Sequence, residues 1–388
     1  MTTPSKLKVY VIAGEPSGDL LGSRLMRALR ERTNGQVEFC GLGGDTMEQE
    51  GLKSLFDISE LAVMGLVEVI PSIPKVLARI RQTVADIEQQ KPDVVITIDS
   101  WSFCSRVHKA LRQRNLNIKQ IHYVAPQVWA WKKRRAKTMY KYVDLLLTLL
   151  PNEPQYFTKH HLKTIFVGHP VVESDALKAD GQAFRHKYNI AEQTQVISLL
   201  PGSRHTEVVK LLPDFLAAAR LLQKQNPDIC FALPTVKTVA QRVKNMLQGC
   251  DLPLIVLETE ADRYGAFQAS SAAIAASGTV ALELAICHIP HIIAYKVSSL
   301  TYILAKYLVR LKFVNLTNIL LQRRVVPELL QQDCYPQKIV DEINELLKNG
   351  AAYEHQMAGF NEVKAFLTNG TQTPSQNAAE AVLKELQC

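Results

Sequence analysis

Short β-rich apolar runs alternate with segments whose apolar residues recur at helical spacing, and the alternation occurs twice along the chain. In the first half the runs are Val9–Ala13, Val37–Leu42, Val94–Ile98, Ile118–Val124 and Leu145–Leu149, with helical patterns over Leu20–Arg32, Val76–Gln90 and Ser105–Arg114 between them. Buried parallel strands joined by crossover helices produce this pattern. It confines the chain to a doubly wound α/β fold. After "VGHPVVES" (167–174) a polar stretch runs to about Gln182, and the pattern then restarts. The second set comprises helix Gln182–Tyr188, strand Val196–Leu200, helix Val208–Gln225, strand Ile229–Leu233, helix Val236–Leu247, strands Leu254–Leu257 and Ala272–Ala275, helix Val280–Ala285 and strand His291–Tyr295. With 388 residues the chain has room for two cores. The expected architecture is two Rossmann-like domains facing a cleft, over residues 1–172 and 173–350, with helices over 351–388 packing back on the first domain.

Composition narrows the class of partner. Hydrophobic residues are 47% and charged residues 21%, the range of a soluble globular protein. A net charge of +8 favours an anionic partner only weakly, and it is spread along the chain with no nucleic-acid-binding motif. Seven scattered cysteines without a Cys-x-x-Cys pair fit a reducing compartment better than a disulfide framework. His288 and His291 have metal-like spacing, but Ile289-Pro290 between them reads as a strand entrance, so no metal site is assigned. The N-terminal apolar run is too short for a signal peptide, and the longest uncharged stretch, Ala269–Leu282, is shorter than a membrane span. A cytoplasmic protein is expected, with any membrane contact made from the surface.

Ligands of open α/β sheets sit outside the carboxyl ends of the strands, so the residues after each strand carry the functional information. After the first strand comes "AGEPSGDLLG", in which Gly14, Gly18 and Gly22 bracket Glu15 and Asp19. Two carboxylates repel a phosphate, so this loop reads as a site for sugar hydroxyls with Glu15 accepting hydrogen bonds. The alternative is a tight turn with Asp19 near a helix N-terminus. Asp99 follows "DVVITI". It is either a poorly solvated general base or the N-cap of the next helix. "PGSRHTEV" (201–208) leads Gly202 and Ser203 into a helix whose N–H groups can face an anion, and Arg204 adds a guanidinium fork. A diphosphate suits this loop, the alternative being an ordinary turn with a solvated Arg. "SGTVALELA" (277–285) opens another helix with Ser277, Gly278 and Thr279, and Glu283 lies one turn in, where it can accept from ribose hydroxyls. The two loops together read as a nucleotide site.

The stretches "AGEPSGDLLG", "GLGGDTMEQEG", "VMGLVEV", "HYVAPQVWAWKKRR", "FVGHP", "LLPGSRHTEV", "ASGTVALELA" and "VVPELLQ" resemble the lipid-A-disaccharide synthases, a family of bacterial glycosyltransferases, from residue 13 to about 331. The resemblance implies a two-domain glycosyltransferase-B fold with no metal and no cofactor. It implies an inverting transfer from UDP-2,3-diacylglucosamine to 2,3-diacylglucosamine 1-phosphate, giving the β-1,6-linked disaccharide 1-phosphate and UDP. Carried over by position, Asp99 is the expected essential carboxylate, with Glu15 and then His122 as alternative bases. Arg204, Ser277, Thr279, Glu283 and Asn318 are the expected nucleotide-site residues. The chain departs from the family pattern at "DSWSFC" (99–104), where Trp101, Ser102 and Cys104 replace Pro, Asp and Asn, at Asn152, and at "LTN" (316–318). The alternative within enzymes is another UDP-sugar enzyme of the same architecture, a transferase with a soluble acceptor or a 2-epimerase. A non-catalytic nucleotide- or lipid-binding protein is the alternative outside enzymes, disfavoured by Asp99. A homodimer is left open.

An acyl-bearing acceptor must be drawn from a membrane surface, which gives "VAPQVWAWKKRRAKTMYKYVD" (124–144) a reading. Trp129 and Trp131 suit a lipid interface, and Lys132, Lys133, Arg134 and Arg135 suit anionic headgroups or the substrate phosphate. The alternative is that the tryptophans are buried and the cations merely solvated. "LAVMGLVEVIPSIPKVL" (61–77), with Met64 and Val69, is a candidate acyl-chain groove, and Asp19 and His122 are grouped with the acceptor side. "LTYILAKYLVRLKF" (300–313) is a basic amphipathic candidate in the second domain. Neutralising Lys132, Lys133, Arg134 and Arg135 is expected to weaken binding to anionic vesicles by up to about 1 kcal/mol per charge, as added salt would in the parent chain. Vesicle sedimentation indifferent to both changes would return these cations to ordinary solvated surface.

Overall fold

The structure, a computed structural model, describes residues 6–61, 66–126, 135–296 and 312–387, with backbone alone over 66–73. Met64, Trp129, Trp131, Lys132, Lys133 and Arg134 lie outside the described residues, as do the side chain of Val69 and residues 297–311. The chain divides into two compact units, Met1–Pro170 with Leu367–Cys388, and Val171–Phe366.

The first unit is built on six parallel strands: β1 (Leu7–Ala13), β2 (Val37–Leu42), β3 (Val94–Ile98), β4 (Lys119–Tyr123), β5 (Leu145–Thr148) and β6 (Lys163–Phe166), in the order β2-β1-β3-β4-β5-β6. Alternate residues face opposite layers, as the pleat requires. Val9, Val11, Ala13, Ile96, Ile98 and Tyr123 pack with helices Pro16–Arg32 and Pro374–Leu386. Tyr10, Ile12 and Val95 pack with helices Leu66–Gln90 and Trp101–Gln113.

The second unit repeats the plan with β7 (Gln195–Leu200), β8 (Ile229–Pro234), β9 (Leu254–Leu257), β10 (Ala272–Ala275), β11 (His291–Tyr295) and β12 (Glu328–Leu330), in the order β12-β11-β10-β7-β8-β9. Helices His205–Gln225 and Pro336–Leu347 cover one face over Ile197, Leu199, Phe231, Leu233, Ile274 and Ile292.

The C-terminal residues form two helices that divide between the units, where the sequence reading packed helices over 351–388 back on the first domain. Helix Ala351–Leu367 stays with the second unit. Its Phe360 ring stacks on His291 at 5.3 Å, and Gln356 exchanges two 2.9 Å hydrogen bonds with the His291 main chain. The last helix returns to the first unit, because Ala378, Ala379 and Val382 form an apolar stripe at helical spacing and sit in its core. Glu385 on the same helix pairs with Lys119 at 3.1 Å and Lys163 at 2.8 Å.

Both sheets start in the middle and wind outwards in two directions. The strand order therefore reverses between β1 and β3 in one unit and between β10 and β7 in the other. The loops at the carboxyl ends of these four strands open at the switch points where such folds bind ligands.

Four histidines are buried beneath these layers. Burial holds His108, His169 and His291 down at about 4, and His122 well below the usual imidazole range. The unfolded chain thus takes up protons first as pH falls from about 6.5, so stability is full above that value and is lost progressively toward pH 4. Melting temperature is expected to fall across this window. Each ring titrating at about 4 contributes up to roughly 3 kcal/mol of that loss. A melting temperature flat between pH 6.5 and 4 would contradict the burial of neutral imidazoles.

Candidate active site

At the switch point of the first unit, Ala13 and Ile98 are in register, so Gly14–Glu15 and Asp99–Ser100 leave the sheet side by side. Gly14 is required by this approach: a Cβ there would stand 2.8 Å from the Ser100 Oγ. The Ser100 hydroxyl donates to Glu15 Oε1 at 3.3 Å, and its main-chain N–H donates to the Asp99 carboxylate. Burial pushes the Asp99 carboxyl above its ordinary range, and the Ser100 N–H offsets part of that rise. Among the described residues no cation pairs with Asp99. Asp99 is not the cap of the next helix; Ser100 occupies that position, and Trp101 begins the helix. The backbone here is left-handed at consecutive non-glycine residues, with φ of 51° at Asp99 and 40° at Ser100, and Val124 after β4 has φ of 81°. Such residues cost of order 1–3 kcal/mol each and gather at functional sites.

Two residues grouped with the acceptor side have structural roles. Asp19 is 4% exposed, and its carboxylate accepts from Gly44 N at 2.7 Å, Thr46 N at 2.9 Å, Thr46 Oγ1 at 2.7 Å and Met47 N at 3.1 Å. It caps helix Asp45–Gln49 from outside and ties the "GLGG" loop to the first helix, leaving its oxygens no capacity for a sugar. His122 is fully buried, one layer below the surface, with Nδ1 2.6 Å from Thr97 Oγ1. As a base it could not reach an acceptor.

In the second unit Ala275 is in register with Leu200, so the loops Pro201–Arg204 and Ala276–Gly278 leave adjacent strands together. Each opens a helix, His205–Gln225 and Thr279–Ile286. Two helix N-termini therefore present unpaired N–H groups at one sheet edge, an arrangement suited to an anion. Gly202 has φ of 108°, and a Cβ there would strike Glu207 Oε2 at 2.4 Å, so the turn needs glycine. Glu207 reaches back to the Arg204 N–H at 3.2 Å and holds one guanidinium nitrogen at 3.2 Å, while accepting from the Tyr295 hydroxyl at 3.2 Å. Held at one corner, the Arg204 side chain is 63% exposed and leaves its remaining donors to solvent. Ser277 Oγ donates to the Val314 carbonyl at 3.1 Å, and Gly278 faces open space. Glu283 is 16% exposed and lies 3.5 Å from Arg263, whose guanidinium sits over the Tyr264 ring at 4.5 Å.

Asn318 differs from expectation. It is fully buried, accepts from Val325 N at 2.7 Å and Val326 N at 2.9 Å, and donates at 2.8 Å to Val326 O and to Glu328 Oε1. Its amide shapes the entry to β12 and has no group left for a nucleotide. A cavity of about 870 Å³ in this unit is lined by Gln195, Asn226 and Tyr335. It lies at the amino end of β7, opposite the loops that carry the chemistry. His288 and His291 do not converge: His288 pairs with Asn361 at 2.8 Å, and His291 is in the core.

Residues that the linear pattern did not single out are Ser100, Glu207, Arg263 and Tyr295. Glu207 had half of a signal, since a Glu three residues into a helix start suits a capping box, although Arg204 stands where Ser or Thr is usual. Arg263 and Tyr295 are brought to the site by elements distant in sequence, and Ser100, though next to Asp99, meets Glu15 only through the pairing of β1 with β3.

A family profile described as Lipid-A-disaccharide synthetase matches residues 9–382. A lipid-A-disaccharide synthase of Paramagnetospirillum magneticum is 50% identical over 377 residues, covering 97% of this chain and 96% of that protein. The lipid-A-disaccharide synthase of Pseudomonas aeruginosa is 39% identical over 380 residues, covering 97% and 98%. Among solved structures, the glycotransferase of kitacinnamycin aligns with a TM-score of 0.66 at 13% identity, covering 99% of this chain and 100% of that one. UDP-GlcNAc 2-epimerase from Neisseria meningitidis, bound to UDP-GlcNAc, aligns with a TM-score of 0.64 at 14% identity, covering 98% and 100%. Likeness at those identities shows the fold alone, whereas the sequence matches extend over nearly the whole chain at far higher identity. The chain belongs to the lipid-A-disaccharide synthase family.

Proposed function

We propose that the protein transfers the 2,3-diacylglucosaminyl group of UDP-2,3-diacylglucosamine to the primary hydroxyl of 2,3-diacylglucosamine 1-phosphate, with inversion, releasing UDP. The observation that carries this reading is the division of charge between the two switch points. The second unit gathers Arg204 and two helix N-termini, which suit a diphosphate. The first holds a carboxylate with no cationic partner among the described residues. Membership of the lipid-A-disaccharide synthase family supports acylated glucosamine precursors as the substrate class.

In this scheme the UDP diphosphate lies on the N–H groups opening helices His205–Gln225 and Thr279–Ile286. Arg204 completes the contact through donors that Glu207 leaves free, and Glu283 accepts from the ribose hydroxyls. As the anomeric C–O bond breaks, charge grows on the departing diphosphate, and these fixed dipoles and the guanidinium stabilise it without reorganising. The acceptor hydroxyl is a poor nucleophile at neutral pH. Asp99 takes its proton as the oxygen attacks the anomeric carbon from the opposite face, which inverts the centre. A carboxyl held above its ordinary range by burial is a better base than a solvated one. Glu15, joined to the same turn through Ser100, is the alternative base or an acceptor-binding group. The tryptophans and cations of 124–144 bring the enzyme to an anionic membrane surface, where the acylated substrates reside.

The direct test supplies the purified protein with both diacylated glucosamine substrates in detergent and follows disaccharide 1-phosphate and UDP; the absence of both products refutes the reading. For the nucleotide site, Arg204→Ala is expected to weaken UDP binding by about 1.5–3 kcal/mol, the value of a charge-assisted hydrogen bond. Glu283→Ala should weaken UDP more than free pyrophosphate. Calorimetric titration with unchanged UDP affinity in both variants would remove the nucleotide from these loops. For the base, Asp99→Asn keeps the shape and removes the basicity, so kcat should drop by about 10²–10⁴-fold while UDP affinity holds. The acid limb of the parent kcat profile should lie above the usual carboxylate range. Near-normal turnover in Asp99→Asn, with loss in Glu15→Gln, would transfer the role to Glu15.

A further inference from the structure

We propose that His122 is a positioning residue for this reaction, holding the Asp99 turn from beneath as the end of a buried hydrogen-bonded chain, Gln120–His108–Thr97–His122. The inference rests on the assignment of Asp99 as base. All four side chains are fully buried. Gln120 and His122 lie on β4, Thr97 lies opposite His122 on β3, and His108 comes from helix Trp101–Gln113.

The neighbours determine where the protons lie. The Gln120 amide satisfies its surroundings in one orientation: Oε1 accepts from Arg112 Nε at 3.3 Å and Nε2 donates to His108 Nδ1 at 2.7 Å. His108 then carries its proton on Nε2 and donates it to Thr97 Oγ1 at 2.7 Å. The Thr97 hydroxyl is left to donate to His122 Nδ1 at 2.6 Å. His122 is thereby a neutral ring protonated on Nε2, and the ring also engages the main chain of Val124 just past β4. An apolar residue of similar size would fill the space and lose both contacts.

The chain grips both sides of the strained turn. Thr97 precedes Asp99 by two residues. Trp101 follows Ser100 and lies on the His122 ring with centroids 4.7 Å apart, and 6.2 Å from His108. Asp99 and Ser100 are both left-handed, a conformation that relaxes unless its flanks are held. His122 fixes the first flank by hydrogen bonding and the second by ring contact. It acts on Asp99 through Thr97 and Trp101 rather than by touching substrate. The replacement of the family's usual proline by Trp101 provides the second grip.

The charged groups acting on His108 are Arg112 on the covering helix and Asp144 before β5, and His108 itself acts on His122; Cys104, on the same helix, shares the Thr97 hydroxyl and feels Asp99 and Glu15 at the strand ends. Burial keeps both rings neutral near pH 7, with Arg112 opposing a charge on His108 and His108 opposing one on His122. Protonating His108 would set its Nδ1–H against the Gln120 amide donor and break the chain, so the array works in its neutral form.

The test compares His122→Phe, His122→Asn and Thr97→Val in the full chain, by disaccharide formation, UDP titration and thermal melts. Phe fills the space without hydrogen bonding. Asn offers an amide oxygen where Nδ1 accepts from Thr97. Val removes only the hydroxyl. His122→Phe and Thr97→Val should each lower kcat by up to about 100-fold, with KM for the UDP-sugar and UDP affinity unchanged. His122→Asn should recover most of that loss. The proposal is overturned if kcat survives in Phe and Val, if Asn is no better than Phe, or if the loss only tracks the folded fraction. Should His122→Phe not fold, Thr97→Val and His122→Asn decide by the same criteria. A parent chain that forms no disaccharide overturns both this inference and the function it rests on, whereas an active parent with an equally active Thr97→Val overturns this inference alone.

Discussion

A parallel sheet must be covered on both faces, and the rest of this molecule follows from that constraint. The crossover helices that connect parallel strands also bury them, so nearly every strand side chain in β1, β3, β7 and β10 is engaged in packing. Polar chemistry is displaced to the strand ends, where the next helix has not yet begun. Twice in one chain the winding direction reverses at a central pair of strands, and twice the adjacent loops carry the groups that can meet a ligand. The two edges differ in sign. One offers carboxylates on a strained turn, the other offers N–H groups and a guanidinium.

The cost of the first edge is visible in its backbone. Left-handed Asp99 and Ser100, and Val124 just past the neighbouring strand, are conformations an unconstrained loop would leave. They persist because Gly14 makes room for Ser100, and because a polar chain of Gln120, His108, Thr97 and His122 replaces apolar packing below. That chain is itself expensive, since it buries two imidazoles with an amide and a hydroxyl among apolar layers. The second edge needs less strain. Its helix N-termini are preorganised by the fold, and two contacts, Glu207 to Arg204 within one turn and Arg263 to Glu283 between helices, orient the side chains. An anion site made from helix ends is inexpensive in an α/β fold, whereas a largely buried carboxylate on a left-handed turn has to be built.

The family pattern and the geometry also divide the work differently. Asp19 stands within a matching motif and Asn318 at a position carried over from the family, yet each is held by main-chain groups of a neighbouring loop. Their place in a motif reflects the loops they hold. Arg204, by contrast, is exposed, and Gly278 faces open space, as residues that meet a ligand should.

The linear sequence by itself determined the two α/β units, the principal strands, the glycine turns and the candidates Asp99, Arg204 and Glu283. All of these depend on periodicity or on residues within one turn, which act locally. The short edge strands Lys163–Phe166 and Glu328–Leu330 were not legible, because each opens on a charged residue and neither is a continuous apolar run, unlike the equally short Leu254–Leu257 and Ala272–Ala275. Nor was the division of the C-terminal helices between units, since an apolar stripe says that a helix is buried but not against what. Only the tertiary structure decided that Asp19, His122 and Asn318 face inward, that Ser100 bridges Glu15 and Asp99, and that Arg263 orients Glu283. Each of these joins residues far apart in the chain, and burial and proton placement arise from neighbours that sequence spacing does not encode.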